Sequence, residues 1–144
     1  MTAPLSSSRL LKTLSPNDLG LTRTHQSGIH IPKALVWFFP PLEDGTLNPD
    51  RWLTLERTDG GVTQCRYIHY NGRVLGINTR DEYRITWIPA VLREMNAQVG
   101  DLLSFELVGE NRYRVELLQA EPAPSSDRIV IVLGRGWKTV SLRR

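Results

Sequence analysis

Residues 51–57, RWLTLER, and 63–70, TQCRYIHY, decide the fold class. In both runs apolar and polar side chains alternate with period two, the pattern of strands with one buried face. Asp59-Gly60-Gly61 lies between them, a turn composition that reads as the bend of a β-hairpin. Leu102 to Val108 and Arg112 to Leu118 repeat the pattern around Gly109-Glu110-Asn111, a second hairpin.

Outward from these hairpins the elements are shorter. Gly28 to Pro32, Tyr83 to Ile88 and the β-branched Arg128 to Leu133 read as strands. Ala34 to Phe39 reads as one or two turns of buried helix, stopped by Pro40 and Pro41. Ala90 to Asn96 reads as a short helix with Pro89 at its first turn. The total of about seven short strands and two short helices predicts a mostly antiparallel barrel whose ends are plugged by helices. Residues 1–11 are small and polar and are expected to be loose. Residues 12–120 form the barrel domain in this reading, and residues 121–144 a linker-like break (EPAPSS), a final strand and a basic tail.

The chain has 144 residues, enough for one domain with a core. No apolar run approaches the ~18 residues of a membrane span, and MTAPLSSSRLLK has no hydrophobic secretory segment. Cys65 has no second cysteine to pair with, which fits a reducing compartment. The formal net charge is +3 and the pI about 9.4, a mild basic excess. Lysine occurs only at Lys12, Lys33 and Lys138, so 15 of the 18 basic residues are arginine. Arginine's planar fork can hold guanine O6 and N7, or a phosphate, through two parallel hydrogen bonds.

Catalytic constellations are missing from the sequence. Metal-dependent nucleases often place an acidic residue two positions before a lysine. Here the lysines follow Leu10, Ile31 and Gly136 at that offset. There is no His-x-Lys pair, and three scattered histidines do not make a zinc site. Cys65 in its alternating strand reads as a packed structural thiol. Gly134-Arg135-Gly136 resembles the start of a phosphate loop but lacks the third glycine and a following helix. His30 reads as a surface or satisfied core residue. No cofactor, metal or catalytic residue is expected.

Two polar segments carry chemistry instead. The first, Lys12 to Gln26, offers Lys12, Ser15, Asn17, Thr22, Arg23, Thr24, His25 and Gln26, donors and acceptors suited to phosphates and base edges. A solvated surface loop would have a similar composition. The second, RYIHYNGRVLGINTRDEYR at 66–84, interleaves Arg66, Arg73, Arg80 and Arg84 with tyrosines, and adds Asn78, Asp81, Glu82 and Tyr83. The spacing i, i+2, i+4 puts Arg80, Glu82 and Arg84 on one side of an extended segment, with Asp81 and Tyr83 pointing away. Two forks and a carboxylate on one surface suit adjacent G·C pairs. Surface charges paired in solvent would be the bland alternative.

Leu14-Ser15-x-Asn17-Asp18-x-Gly20-x-Thr22-x-x-His25-Gln26-x-Gly28 with Ile31-Pro32, then Leu47-Asn48-Pro49, then Tyr70-Asn71-x-Arg73-x-x-Gly76 with Thr79-Arg80-x-Glu82-x-Arg84-Ile85-Thr86, resemble in order and spacing the N-terminal, effector-binding domain of EcoRII-type restriction endonucleases. The resemblance covers roughly residues 12–87. It implies a DNA-binding pseudobarrel like that of plant B-three transcription-factor domains, with two arms that grip the major groove of double-stranded DNA. The arms would be Lys12 to Gln26 and Arg73 to Arg84. It further implies a CCWGG target (W is A or T) and contacts at Lys12, His25, Arg73, Arg80, Glu82 and Arg84. Tyr83 stands where the family has a lysine, one extra residue lies between Gly76 and Thr79, and Arg23-Thr24 replaces a Gly-Gly pair. These departures bear on base preference.

In the family a nuclease domain follows in the same polypeptide. The expectation is therefore a non-catalytic target-recognition domain of a prokaryotic, cytoplasmic, nucleoid-associated restriction enzyme, with duplex DNA as partner and no membrane association. The alternative is a standalone, transcription-regulator-like module with the same fold.

Overall fold

The hairpin of β3 (Asp50–Arg57) and β4 (Val62–Tyr70) pairs in the register its alternation demands: Leu53 faces Cys65, and Leu55 faces Thr63. Leu53, Leu55, Cys65 and Tyr67 point into the core and are almost fully buried. The computed structural model describes residues 9–22, 28–118 and 128–142. The other elements are β1 (Arg9–Thr13), β2 (Ile29–Ile31), a 3₁₀ helix (Lys33–Phe38), β5 (Glu82–Thr86), α1 (Ile88–Glu94), β6 (Leu102–Gly109), β7 (Arg112–Leu118), β8 (Arg128–Val132) and β9 (Trp137–Leu142).

These strands form one sheet in the order β2-β5-β4-β3-β7-β6-β1-β9-β8. Every neighbouring pair is antiparallel except β3 and β7, which run parallel with Thr54 opposite Arg112. The sheet curls so that its first strand comes back against its far end. There the indole Nε1 of Trp137 donates to the carbonyl oxygen of His30 at 2.9 Å. The barrel is thus closed across this seam by a side chain rather than by a ladder, which is what makes it a pseudobarrel. Trp137 itself is fully buried.

Aromatic rings fill one end of the interior. Phe39 stacks on Tyr67 with centroids 5.0 Å apart, Phe38 lies 5.4 Å from Tyr113, and the Tyr113 hydroxyl donates to the Phe38 carbonyl at 2.7 Å. Such contacts anchor the 3₁₀ helix as a plug. Cys65 is fully buried, and burial pushes its thiol up to about 12, so the thiolate a nucleophile needs is suppressed.

The described residues hold nine strands, where the sequence suggested about seven. Residues 9–11, read from sequence as loose, belong to β1, and the described part of the basic tail, Trp137–Leu142, is β9. Leu10, Leu11 and Lys12 of β1 are all buried because β6 flanks one edge, β9 the other, and neighbouring segments cover both faces. A strand buried on both faces shows no alternation. The second helix also starts earlier than expected, at Ile88, after Trp87 in a left-handed conformation (φ 65°).

Trp137→Phe keeps an aromatic ring at the seam but removes the indole N–H that donates to the His30 carbonyl. The expected loss of stability is about 1–3 kcal/mol, from the hydrogen bond and the unfilled volume together. Urea denaturation of the two proteins measures it.

Candidate nucleic-acid interface

The site is built on the short pair β2–β5. Its register sets Ile29 opposite Ile85, His30 opposite Arg84, and Ile31 opposite Tyr83. Ile29, Ile31 and Ile85 are sealed in the core, so alternation turns His30 and Arg84 to the opposite face, where His30 is half-buried and Arg84 is almost wholly buried. The segment 14–28 leads into β2 and the segment 71–81 leads into β5. Because the strands are antiparallel, the two segments enter at opposite ends of this floor. Three residues of strand, about 10 Å, separate them.

The root of the first segment is fastened from three directions. The Ser15 amide donates to Asp18 Oδ2 at 2.9 Å and the Asp18 amide donates to Ser15 Oγ at 3.2 Å, a reciprocal cap. Asp18 also accepts from Lys12 Nζ at 2.9 Å, in an ion pair whose two side chains are almost wholly buried. Lys12 Nζ donates as well to the Thr13 carbonyl, so this cation lies inside the protein rather than on a reaching arm. Asn17 Nδ2 donates to the Gly28 carbonyl, and Thr22 Oγ1 donates to Asn17 Oδ1, closing the base of the loop. Gly28 has φ +111°, and a Cβ there would strike the Ile85 carbonyl, so this close return against β5 requires glycine. Arg23, Thr24, His25 and Gln26 lie outside the described residues.

The second segment carries its own scaffold. Buried Asn71 accepts from the Asn48 amide and donates to the Thr46 carbonyl, both at 2.8 Å. The Arg73 amide donates to the Arg80 carbonyl at 2.8 Å, and the Ile77 amide to the Gly72 carbonyl at 2.7 Å. Asn78 Oδ1 accepts from the Arg80 amide at 2.9 Å. Arg73 and Asn78 are exposed on this hairpin-like arm.

Arg80, Glu82 and Arg84 share one face, as the i, i+2, i+4 spacing requires. Glu82 Oε1 lies 2.5 Å from Arg80 Nη2 and 3.3 Å from Arg84 Nε, so one carboxylate oxygen holds both guanidinium groups. Arg80 is also stacked over the Tyr70 ring, 3.7 Å from its centroid. Asp81 and Tyr83 face the other way. Asp81 meets His69 at 2.8 Å and Lys33 at 2.6 Å, while Tyr83 stacks flat on His69 with centroids 4.0 Å apart. These two therefore do not share the face of Arg80, Glu82 and Arg84, although they line one cleft together with Glu82.

The electrostatics follow from these contacts. Burial pushes the Glu82 carboxyl up, but hydrogen bonds from Arg80 and Arg84 outweigh it and hold it below the ordinary carboxylate value. Asp81 is held low by hydrogen bonds from His69 and then Lys33. The His30 imidazole is pushed down by burial, then by Arg135 and Arg84, against a weaker upward pull from Glu82. His30 is consequently neutral around pH 7. Among the described residues no group of three or more His, Cys, Asp or Glu side chains is placed to hold a metal ion. No helix among them is long and apolar enough to cross a membrane.

The family model for the N-terminal region of restriction endonuclease EcoRII matches residues 5–102. The chain belongs to the EcoRII N-terminal family. The type II restriction enzyme EcoRII of Escherichia coli is 41% identical over 104 residues, which are 67% of this chain and 26% of that enzyme. The chain thus spans about a quarter of that EcoRII relative. Among solved structures, the Arabidopsis FUS3–DNA complex matches 77% of this chain and 96% of its own with a TM-score of 0.55 at 17% identity. The fold is accordingly the B-three-like pseudobarrel that the sequence resemblance implied.

Sequence reasoning did not place two residues that the fold brings to the floor: His30, and Arg135 from the turn between β8 and β9. Arg135 Nη1 lies 3.2 Å from His30 Nε2. The flanking glycines of Gly134-Arg135-Gly136 were the available signal, since they mark a tight, projecting turn.

The shared carboxylate makes stability depend on acid. Glu82 has a folded pKa below its unfolded one, so its contribution is present above the unfolded value and lost as pH falls through the folded value. Asp81 behaves in the same sense. Glu82→Gln and Asp81→Asn should each flatten the fall in stability between about pH 5 and pH 3. Equilibrium urea unfolding across that range tests this, and an unchanged slope in both variants contradicts the assignment.

Proposed function

We propose that this chain is the target-recognition domain of a type II restriction enzyme and binds a short sequence in duplex DNA through its two arms. The observation that carries the reading is the placement of the two segments at opposite ends of an arginine-bearing floor about 10 Å long, against a major groove about 12 Å wide. Both arms can then enter one groove, one along each wall. The target is CCWGG or a closely related site. The nuclease domain belongs to the same full-length polypeptide, this domain contributes no catalytic group, and the enzyme works in the prokaryotic cytoplasm at the nucleoid.

Within this reading Arg80, Glu82 and Arg84 read base edges. The guanidinium forks donate to guanine O6 and N7, and the Glu82 carboxylate accepts from cytosine N4 or holds the forks in their reading rotamers. Arg73 and Asn78 meet the backbone or flanking bases. Ser15, Asn17 and Thr22 set the root of the first arm, and Arg23, Thr24, His25 and Gln26 supply its contacts. Asp81 and Tyr83 support the second arm from behind, through His69 and Lys33. Lys12 acts through Asp18, by fixing where the first arm leaves the barrel.

Selection from a random duplex library identifies the site. Binding to it should weaken with salt at a log–log slope of roughly −5, if five or six phosphates are neutralised. Single-stranded DNA should bind worse, because it offers only one groove wall. Arg80→Ala or Arg84→Ala should cost about 1–3 kcal/mol and relax preference at one base pair. Lys12→Ala should instead weaken all duplexes alike. Arg112 and Arg114, paired in solvent with Glu56 and Glu106, should tolerate alanine without loss of affinity. Uniform loss across all duplexes for both Arg80→Ala and Arg84→Ala would reassign that arm to phosphates. Cleavage by the purified chain with divalent metal would overturn the non-catalytic assignment.

A further inference from the structure

Arg135 lines both clefts that lie between the root of the first arm and the foot of the second. It occupies the turn between β8 and β9 with φ 62°, a left-handed conformation that is strained for a non-glycine residue, and Gly136 follows with φ +83°. The turn is held from beneath. The Thr13 amide donates to the Gly136 carbonyl at 2.8 Å, and the next residue is the buried Trp137 that closes the seam. The side chain crosses that seam to His30, the outward residue of β2. Its Nη1 lies 3.2 Å from Nε2 and 3.4 Å from Nδ1, so the guanidinium is seated against the imidazole.

Two clefts meet at this residue. One, of about 440 Å³, runs from Arg135 and His30 past Arg84 to the root of the first arm at Ser15 and Asn17. The other, of about 330 Å³, runs from Arg135 and His30 to Asp81 and Glu82 at the foot of the second arm. Among the described residues no carboxylate lies within 4 Å of the Arg135 guanidinium, whereas Arg80 and Arg84 share Glu82. Its only side-chain hydrogen-bond partner described is a neutral imidazole. That bond leaves most of the five guanidinium donors unspent.

We propose that Arg135 is a third DNA-reading element, which contacts the base edges of the central base pairs of the target while the arms take the pairs on either side. The inference rests on the DNA-binding reading above. A cation where these two clefts meet, between arms that follow the groove walls, faces the groove floor, where base edges lie, rather than the phosphate rows. An arginine there reads guanine O6 and N7 by its fork, or a purine N7 by a single donor. His30, neutral and hydrogen-bonded to it, fixes the direction of the fork. The strain of the turn is then part of how the side chain is aimed. Arg135 belongs to the C-terminal hairpin, outside the residues 5–102 matched by the family model.

The test uses the full chain with Arg135→Gly and Arg135→Asn, both of which accept left-handed φ, so folding is preserved and thermal stability is expected to hold or rise. Each protein is titrated against the selected duplex and against every single-base-pair variant of it. Arg135→Gly should weaken binding about tenfold to a hundredfold and erase discrimination at one or two adjacent central positions. These positions should differ from those that respond to Arg80→Ala, and the salt slope should stay unchanged. If Arg135→Gly instead weakens every duplex equally and lowers the salt slope by about one, the residue touches a phosphate and the proposal falls. Unchanged affinity and discrimination in a wild-type background that binds its site also overturns it. Failure of the wild type to prefer any duplex would instead overturn the DNA-reading function itself.

Discussion

Lys12 sends its amine from near the end of β1 into the root of the first arm, where it meets the Asp18 carboxylate at 2.9 Å with almost no solvent around either group. Its second bond, to the Thr13 carbonyl, keeps it beside the turn at Gly136. One buried cation therefore ties together a barrel strand, an arm and the edge of the C-terminal hairpin. Burying such a pair is a poor way to gain stability, because desolvation consumes much of the attraction. What it does supply is a direction. An apolar residue at either position would pack in several ways, but an amine and a carboxylate sealed from water must meet. The departure angle of the first arm, and with it the width of the cleft above His30 and Arg84, follows from that requirement.

The second arm is made rigid by different means. It relies on backbone hydrogen bonds across its own turn, on buried Asn71 pinned to the Thr46–Asn48 loop, and on Arg80 held by both Glu82 and the Tyr70 ring. The charged groups are thus arranged before any partner arrives, which lowers the side-chain entropy lost on association. The two arms differ accordingly: one is positioned by its root, the other along its length.

How much of this was legible in the sequence depended on whether the cause was local. The hairpins β3–β4 and β6–β7 were legible because each has one buried face and so alternates. The common face of Arg80, Glu82 and Arg84 was legible for the same reason. β1 was not, because Leu10, Leu11 and Lys12 are consecutive and all buried, which only its two flanking strands explain. β9 was hidden by Lys138, Thr139 and Ser141 among its apolar positions. Lys12 looked like an exposed arm residue because its partner Asp18 is found only when the chain folds back. The contact between His30 and Arg135 joins residues 105 positions apart and exists only because the sheet closes on itself.

The pairing of β1 with β9 has a consequence for how the molecule comes into being. β1 precedes by more than 120 residues the strand that covers one of its edges. Until that strand pairs, the edge presents unpaired amide and carbonyl groups, the kind of surface that invites misassociation. The seam, its tryptophan and the arginine turn all arrive together with β9. A nascent chain could therefore build both arms while the floor between them was still unfinished. Completion of the groove would then wait on the hairpin's last strand rather than on formation of the central sheet.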